Sequence, residues 1–318
     1  MDLPEMLNKE AKVALADRIP PTLEEYKAFR QRFCNWGRWG KEDQLGTLNF
    51  ITEETRRRAI ALVREGRTIS CANPLATTPG LRNPRPSHHF IEVFPTDPPV
   101  TQDYIGFFVH GFVDTHIDSL GHVFSSDGKA TYNGRSSSEV TTRSPGTCSV
   151  QHFRDGIMTR GVLYDIPRLR GVNYVTVDAP VQGWELEDAA KAQGVEPQPG
   201  DAVLVHFGRE TYFNANPDAP NRSGQKPGLH PSVLEFLYEH DIALLGSEFD
   251  EAPDQGYQTP FPIHAIANPY MGLPTLWNTN FERLTQKCGG VERWEFLFVI
   301  APLVVGATGS VVNPIAVF

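Results

Sequence analysis

Three of the chain's ten histidines lie within thirteen residues, in the segment HGFVDTHIDSLGH. Its centre is the pair His116 and Asp118, which share one face if the segment is a β-strand, because strand side chains alternate between two faces. Imidazole and carboxylate ligands together suit Zn²⁺, Mn²⁺ or Fe²⁺. A turn through residues 119–121 would return His122 to the same point, as a further ligand or as a general base. The spacing indicates a divalent metal site, although ordinary hydrogen-bonded histidines at a strand end would show the same pattern.

Two neighbours of this pair have different expected roles. Asp114 has the same parity as His116 and Asp118. We expect its carboxylate to orient an imidazole from behind, as metal-bound histidines usually require, with direct ligation as the alternative. In one straight strand His110 would lie about 20 Å from His116, at about 3.3 Å per residue. His110 therefore cannot share the ion unless the chain bends sharply, and we expect it to line the substrate pocket.

A second acidic group follows the apolar segment IALLG, in the run GSEFDE at 246–251. Acidic residues at the carboxyl end of a strand in an α/β sheet commonly face a site. Glu248 and Asp250 are therefore candidates for metal binding or for moving a substrate proton. A solvated acidic loop is the alternative.

Several aromatic residues lie near these groups in the sequence. Phe108, Phe112 and Trp277 are predicted to line an apolar substrate pocket. The alternative is that they belong to the hydrophobic core, as most buried aromatic side chains do.

The elements that must position these residues alternate between strands and helices. Helices are predicted from a capping box at Thr22, over 52–65, over 185–193 and over 231–240. Residues 74–99 and 119–147 are predicted to be irregular loops, since they are rich in Pro, or in Gly and Ser. Strands are predicted over 67–71, 104–113, 161–166, 201–207, 242–246, 296–305 and 311–317. This alternation indicates an α/β fold with at least one βαβ crossover.

Composition excludes several classes of protein. The chain has 318 residues with 29 Lys and Arg against 38 Asp and Glu, a formal net charge of −9, which disfavours a nucleic-acid partner. Its longest apolar run, 296–307, is too short to cross a membrane. The four cysteines are widely spaced and the first twenty residues do not resemble an export signal, so we expect a cytoplasmic protein. The motifs G-x-S-x-G, G-x-x-x-x-G-K-[ST], G-x-G-x-x-G and H-E-x-x-H are absent from the sequence.

Longer motifs resemble a known family. The histidine segment is similar to the H-x-x-x-H-x-D-x-x-x-H motif of the cyclase family, which includes bacterial kynurenine formamidases and isatin hydrolases. The segments WGKEDQLGTLN (39–49), GKATYNG (128–134), RGVLYDI (160–166) and QPGDAVLV (198–205) resemble further signatures of its longer members, in the same order.

The resemblance implies a swivelling β/β/α fold with a mixed central sheet and long loops. It implies a helical extension over 1–66, packed on a catalytic domain over 67–318. His116 and Asp118 match family metal ligands, His122 matches the catalytic base, and His264 matches a downstream ligand. Family members also assemble as homodimers or homotetramers.

Two positions depart from the family motif. Phe112 replaces its first histidine, and the neighbourhood of Trp277 lacks the expected acidic ligand. We therefore expect one divalent ion, Mn²⁺ or Zn²⁺, on His116, Asp118 and His264, or none.

Three functions follow as hypotheses. The first is a metal-dependent hydrolase of a small, aromatic amide, lactam or ester. The second is a cyclase, dehydratase or isomerase of a secondary metabolite that uses the same pocket with or without metal. The third is a binding protein without activity.

Overall fold

The fold is built on one large mixed β-sheet. The structure is a computed structural model that describes residues 13–222, 225–253 and 256–318. The strands in these ranges are β1 (Thr68–Ser70), β2 (His88–Phe94), β3 (Val100–Gly106), β4 (His116–Asp118), β5 (Ile157–Asp165), β6 (Ala202–His206), β7 (Leu244–Ser247), β8 (Thr275–Trp277), β9 (Glu295–Ile300), β10 (Gly309–Val311) and β11 (Ile315–Val317). The α-helices are α1 (Val13–Asp17), α2 (Leu23–Arg32), α3 (Glu53–Ile60), α4 (Ile166–Arg170), α5 (Gly183–Gln193), α6 (Arg209–Ala215), α7 (Val233–Glu239), α8 (His264–Ile266) and α9 (Glu282–Val291).

Nine strands form the central sheet, in the order β1-β11-β9-β5-β6-β7-β8-β4-β10. The strands β5 to β8 run parallel, and the other neighbours pair antiparallel. Both faces of the sheet are buried, since Val203 and Val205 of β6 enter one hydrophobic cluster while Leu204 enters another. A strand covered on both faces reads as a continuous apolar run, as the β6 sequence does. The mixed sheet and its helices confirm the predicted fold class.

The short strand β4 lies between β8 and β10, near one edge of the sheet. Its central residue, Ile117, packs into one hydrophobic cluster, so His116 and Asp118 point to the opposite face. Antiparallel pairing places Trp277 opposite His116, and Thr275 opposite Asp118. Directly opposite residues share a face, so β8 supplies the nearest neighbours of the histidine–aspartate pair.

The described part of the N-terminal region packs against the sheet and its helices. Helix α2 begins with the predicted capping box, in which the Thr22 hydroxyl accepts from the Glu25 backbone N–H and the Glu25 carboxylate accepts from the Thr22 N–H. Tyr26 and Phe29 enter the main hydrophobic cluster, and the Tyr26 hydroxyl donates to the Pro262 carbonyl at 2.9 Å. Residues 1–12 of the predicted extension lie outside the described residues.

Three predicted assignments, one loop, one strand and one helix end, were wrong. Residues 88–94, within the segment predicted to be irregular, form β2, which pairs with β3 in a separate two-stranded hairpin. The prolines of 74–99 flank β2 without interrupting it, so the average composition of the segment was misleading. The strand predicted over 104–113 ends at Gly106, because the chain then turns sharply before β4. The helix predicted over 52–65 ends at Ile60.

Among the described residues, no helix combines the length and the apolar character needed to cross a membrane.

A glycine contact fixes residues 46–50 against the sheet. Gly46 has φ +58°, and a Cβ there would lie 2.0 Å from the Gly272 carbonyl oxygen. That oxygen accepts from the Thr47 backbone N–H at 2.8 Å. The close approach therefore requires glycine at position 46.

We predict that Gly46→Ala lowers the free energy of unfolding by at least about 3 kcal/mol, since it adds a backbone clash to left-handed strain of about 1–2 kcal/mol. Gly66→Ala is the matched control, because Gly66 has φ +67° and open space around its Cβ position. It should show the strain alone. Urea unfolding measures both losses. Equal losses would contradict the proposed close approach.

Candidate active site

The carboxylate of Asp118 forms the centre of the candidate site. Asp118 is fully buried on β4. Its Oδ2 accepts from the Thr275 hydroxyl at 3.0 Å and from the Trp277 indole N–H at 2.9 Å, and lies 3.2 Å from His264 Nε2. Strand β8 can supply two of these donors because its register places them beside β4. Three donors on one oxygen hold the carboxylate in a single orientation and direct Oδ1 toward the remaining histidines.

His110 reaches the same carboxylate from the segment that precedes β4. Its Nδ1 lies 2.8 Å from Asp118 Oδ1, and its Nε2 lies 3.1 Å from the Thr308 hydroxyl. The turn between β3 and β4 provides the sharp bend that a straight strand would exclude. His110, expected only to line a pocket, is therefore a direct partner of Asp118. It supplies the histidine that the sequence lacks at Phe112.

His116 is oriented by a main-chain group. Its Nδ1–H donates to the Asp114 carbonyl at 2.8 Å, so Nε2 carries the lone pair, and Nε2 lies 3.6 Å from Asp118 Oδ1. Burial lowers the pKa of His116, which favours the neutral imidazole. The sequence predicts that the Asp114 carboxylate orients an imidazole, but in the structure the Asp114 backbone carbonyl is the group that contacts His116. The Asp114 carboxylate accepts from the Ala76 N–H and the Ser87 hydroxyl. These two hydrogen bonds hold the loop before β2.

His122 returns to the site through a tight turn, as the spacing predicts. Its backbone N–H donates to the Ser119 carbonyl at 3.1 Å. Its ring stacks on the ring of His110, with 3.7 Å between centroids and an angle of 13° between planes. Burial lowers the pKa of His122 to about 3, against the opposing charge of Asp118. His122 is therefore neutral at physiological pH and can accept a proton or a metal ion.

His264 differs from the other three histidines because carboxylates face both of its ring nitrogens. Nδ1 contacts Glu251, which also accepts the backbone N–H of His264, and Nε2 faces Asp118. Burial alone would lower the pKa of His264, but the charge of Glu251 and the hydrogen bonds to both carboxylates raise it well above its usual value. A doubly protonated imidazole donates two hydrogen bonds and has no lone pair for a metal.

Three of these residues have a spacing suited to a metal ion. Ligand atoms of His110, Asp118 and His122 all lie within 4.8 Å of one another. Two imidazole nitrogens and one carboxylate oxygen fit Zn²⁺ or Mn²⁺. The predicted ligand set was His116, Asp118 and His264. All three lie at this site, but His264 is held as a hydrogen-bond donor.

The predicted catalytic residue Glu248 belongs to a different cluster. It is fully buried, and its carboxylate accepts from the backbone N–H groups of Phe207, Arg209 and Phe281. It also lies 3.2 Å from His206 Nδ1. Both oxygens are therefore occupied in joining three segments of chain, and the structure does not bring Glu248 together with Asp118.

The predicted catalytic residue Asp250 forms an ion pair instead. It lies 3.1 Å from the ammonium group of Lys226, which is itself buried. This pair joins the segment after β7 to the segment before α7. Its neighbour Glu251, which sequence reasoning passed over, is the acidic residue of this run that contacts the site.

The three predicted pocket aromatics lie in different surroundings. Trp277 is buried, with its ring 4.9 Å from that of His264, and acts on Asp118 through its N–H. Phe108 is exposed beneath the guanidinium group of Arg85. Phe112 is half-buried, and its carbonyl accepts from the Asn221 side chain. Trp277 therefore supports the carboxylate, and Phe108 and Phe112 lie on the segment that carries His110.

Sequence reasoning missed two residues of the site, Glu251 and Thr275. In the sequence, Glu251 is one of three acidic residues in the run at 246–251, and no pattern distinguishes it from the other two. The spacing of Thr275 from Trp277 matches that of His116 from Asp118, and this shared parity is the signal that could have found it once β8 was paired with β4.

Comparison with known proteins identifies the family of this chain. The family model Cyclase, described as "Putative cyclase", matches residues 60–250, which is more than half of the chain. This chain belongs to the Cyclase family, and the resemblance found in the sequence is confirmed. The family and the fold indicate an enzyme of the hydrolase or cyclase type. No curated protein sequence matches the chain.

Solved structures share the fold over most of the chain. A structure titled as a novel cyclase is 26% identical with a TM-score of 0.80, covering 91% of this chain and 99% of that one. Isatin hydrolase A from Labrenzia aggregata, bound to benzyl benzoate, is 19% identical with a TM-score of 0.55, covering 79% and 93%. An isatin hydrolase bound to the product analogue thioisatinate is 16% identical with a TM-score of 0.56, covering 84% and 98%.

The site predicts opposite protonation states for two neighbouring histidines. In metal-free protein at pH 6.5, His122 should be neutral because burial lowers its pKa, and His264 should be doubly protonated because Glu251 and Asp118 raise its pKa. Nitrogen-15 spectra of labelled histidines measure both states. In urea-unfolded chain both should titrate together near the ordinary value of about 6.5. Joint titration in the folded protein would contradict the proposed surroundings.

Proposed function

We propose that this chain is a metal-dependent hydrolase of the Cyclase family that acts on a small aromatic amide, lactam or ester. One observation carries the proposal. Ligand atoms of His110, Asp118 and His122 all lie within 4.8 Å of one another. Three ligands for a single ion, one on a strand and two on turns, suit the hydrolysis of a carbonyl compound by metal-activated water.

In this proposal His110, Asp118 and His122 hold one divalent ion, Zn²⁺ or Mn²⁺. Such an ion polarises a substrate carbonyl and lowers the pKa of water toward 7. Asp118 contributes Oδ1, because its Oδ2 is occupied by the donors His264, Thr275 and Trp277.

His116 is the proposed general base. Its Nδ1–H is held by the Asp114 carbonyl, so its Nε2 is free to accept a proton, and burial keeps the ring neutral. This exchanges the roles of His116 and His122 expected from the sequence. The exchange is supported by the spacing, because His122 and not His116 meets the ligand distances with His110. His264 and Glu251 act on Asp118 by holding it in position.

Aromatic character in the substrate is supported by the residues at the rim of the site. The ring of Phe261 is partly exposed and lies edge-on to His264 at 5.9 Å. Phe108 and Phe112 lie on the segment that carries His110. Because two structures with the same fold are isatin hydrolases, isatin and small anilides are suitable first probes.

Metal content of single variants tests the proposed roles. His110→Ala, Asp118→Asn and His122→Ala should each lose the ion, whereas His116→Ala should keep it and lower kcat by about 10²–10⁴-fold, the usual contribution of a general base. Mass spectrometry of the purified proteins measures metal per chain. His152→Gln, at an exposed histidine, is the control and should change neither quantity.

Two results would contradict the proposal. Wild-type protein that carries no stoichiometric ion, with activity unaffected by EDTA, would exclude a metal-dependent hydrolase. Loss of the ion in His116→Ala with retention in His122→Ala would exclude the proposed exchange of roles and restore the assignment expected from the sequence.

One observation favours a second candidate, a metal-free cyclase, dehydratase or isomerase. Both oxygens of Asp118 already have protein partners. His110 Nδ1 faces Oδ1, and the Thr275 hydroxyl and the Trp277 indole N–H donate to Oδ2. Thr275 and Trp277 cannot serve as metal ligands while they donate these hydrogen bonds. In such an enzyme the four histidines would serve as acids and bases without an ion.

The mass of the product separates the two candidates. Hydrolysis should give one product from a lactam, or two products in sum from an open-chain amide or ester, heavier than the substrate by one water. In oxygen-18 water the label should enter the new carboxyl group. Mass spectrometry of a single-turnover reaction measures this. A product of unchanged or water-depleted mass, formed equally after EDTA treatment, would exclude hydrolysis and support the second candidate.

A further inference from the structure

The ring of His110 lies against strand β10 at a position where that strand has no side chain. Antiparallel pairing places Gly309 directly opposite Asp118. Directly opposite residues share a face, so a side chain at Gly309 would point to the face that carries the Asp118 carboxylate. A Cβ at Gly309 would lie 2.7 Å from both His110 Cε1 and the Ile117 carbonyl oxygen. The His110 ring therefore occupies space that a side chain at Gly309 would fill.

The backbone conformation does not explain glycine at this position. Gly309 is not among the glycines with a positive φ, so any residue could adopt its backbone angles. The close approach of the ring and of strand β4 is what requires the missing side chain.

The residue before Gly309 contacts the outer nitrogen of the same ring. The Thr308 hydroxyl lies 3.1 Å from His110 Nε2. The Thr308 backbone carbonyl accepts from the Ser119 N–H at 2.9 Å and from the Ser119 hydroxyl at 2.8 Å. Ser119 begins the turn that returns His122 to the site. Thr308 is therefore fixed by its backbone and connects the two histidines that are proposed to hold the ion.

A hydroxyl group orients a histidine differently from a carbonyl group. The Asp114 carbonyl only accepts, so it holds His116 with a hydrogen on Nδ1. The Thr308 hydroxyl can donate or accept. It can therefore keep its hydrogen bond to His110 Nε2 whether or not that nitrogen carries a hydrogen.

We propose that Thr308 and Gly309 are the positioning residues of His110, an inference that rests on the proposed metal-dependent function. Gly309 provides the space for the ring. The Thr308 hydroxyl holds Nε2 both before and after Nδ1 binds an ion. Both residues act through His110, and neither is a ligand.

The hydrogen bonds of His110 differ between the two states. In metal-free protein the ionised Asp118 carboxylate only accepts, so Nδ1–H donates to it and Nε2 accepts from the Thr308 hydroxyl. When Nδ1 binds an ion, its proton leaves to water and Nε2 gains a proton from water, so the ring stays neutral. Nε2–H then donates to the Thr308 oxygen, and the hydroxyl hydrogen turns to solvent. Water can reach the ring because the His110 side chain is 28% exposed.

Zinc affinity of single variants tests the role of Thr308. Thr308→Val keeps the shape of the side chain but removes the hydroxyl, so it should weaken Zn²⁺ binding about 10–100-fold, the usual effect of losing a group that holds a metal-bound histidine. Thr308→Ser restores the hydroxyl and should bind Zn²⁺ as tightly as wild type. Thr101→Val, at an exposed threonine of β3, is the matched control and should leave the affinity unchanged. Calorimetric titration of metal-free protein with Zn²⁺ measures each affinity.

Gly309→Ala tests the space for the ring. The added methyl group should displace the His110 ring, so Zn²⁺ binding should weaken at least as much as in Thr308→Val. Gly306→Ala is the matched control, because a Cβ there would lie no closer than 3.8 Å to its neighbours. Thermal unfolding shows whether each variant is folded, and Thr308→Val decides the proposal if Gly309→Ala does not fold.

Nitrogen-15 spectra of labelled histidines provide a signature that a merely structural role would not give. In wild type and in Thr308→Ser, His110 should carry its hydrogen on Nδ1 without metal and on Nε2 with Zn²⁺. The His110 signals are identified by their absence from His110→Gln.

The outcomes separate this inference from the proposed function. Wild type that binds Zn²⁺ while His110 keeps its hydrogen on Nδ1 would overturn the positioning role and leave the metal site in place. A folded Thr308→Val that binds Zn²⁺ as tightly as wild type, or a Thr308→Ser as weak as Thr308→Val, would do the same. Wild type that binds no Zn²⁺ would overturn both proposals.

Discussion

The burial of one charged carboxylate constrains the whole arrangement of the site. A carboxylate removed from water costs several kcal/mol unless donors replace its hydration. Asp118 meets this requirement with donors from β8, from α8 and from the segment before β4. Strand pairing, the bend at His110 and the position of His264 must therefore all be correct at once. This is why a three-residue strand near the sheet edge can hold a precise site.

A second buried carboxylate shows that burial alone does not define a site. Glu248 is as inaccessible as Asp118, but the backbone N–H groups of Phe207, Arg209 and Phe281 donate to its carboxylate, beside the His206 ring at 3.2 Å. Backbone donors cannot change protonation state or bind an ion, so Glu248 closes a junction between segments. Asp118 is surrounded by imidazoles, which can do both. One imidazole, that of His206, lies beside Glu248, whereas those of His110, His116 and His264 lie beside Asp118.

Much of the framework could be predicted from the sequence, because it depends on local patterns. The capping box at Thr22 and the apolar run of β6 each specify their element through neighbouring residues. The placement of His116 and Asp118 on one face follows in the same way from strand alternation. The role of Glu251 could not be predicted, because it depends on contact with His264 across the fold. The hairpin escaped prediction because its apolar residues are not covered by the rest of the described chain, and composition was dominated by the flanking prolines.

The departure at Phe112 shows how a site can be kept when motif spacing changes. The family motif expects a histidine four residues before His116, whereas here the histidine lies six residues before it. In an extended strand the two extra residues would carry His110 far from the carboxylate. In the structure, the bend brings His110 Nδ1 to 2.8 Å from Asp118. A bend can compensate only if it is held, since a free loop would lose the imidazole through conformational entropy. The contacts of His110 with Thr308 and of the Asp114 carboxylate with Ala76 and Ser87 supply that restraint. The spacing of the histidines along the sequence is thus a weaker constraint on their contact with Asp118 than the rigidity of the segment that presents them.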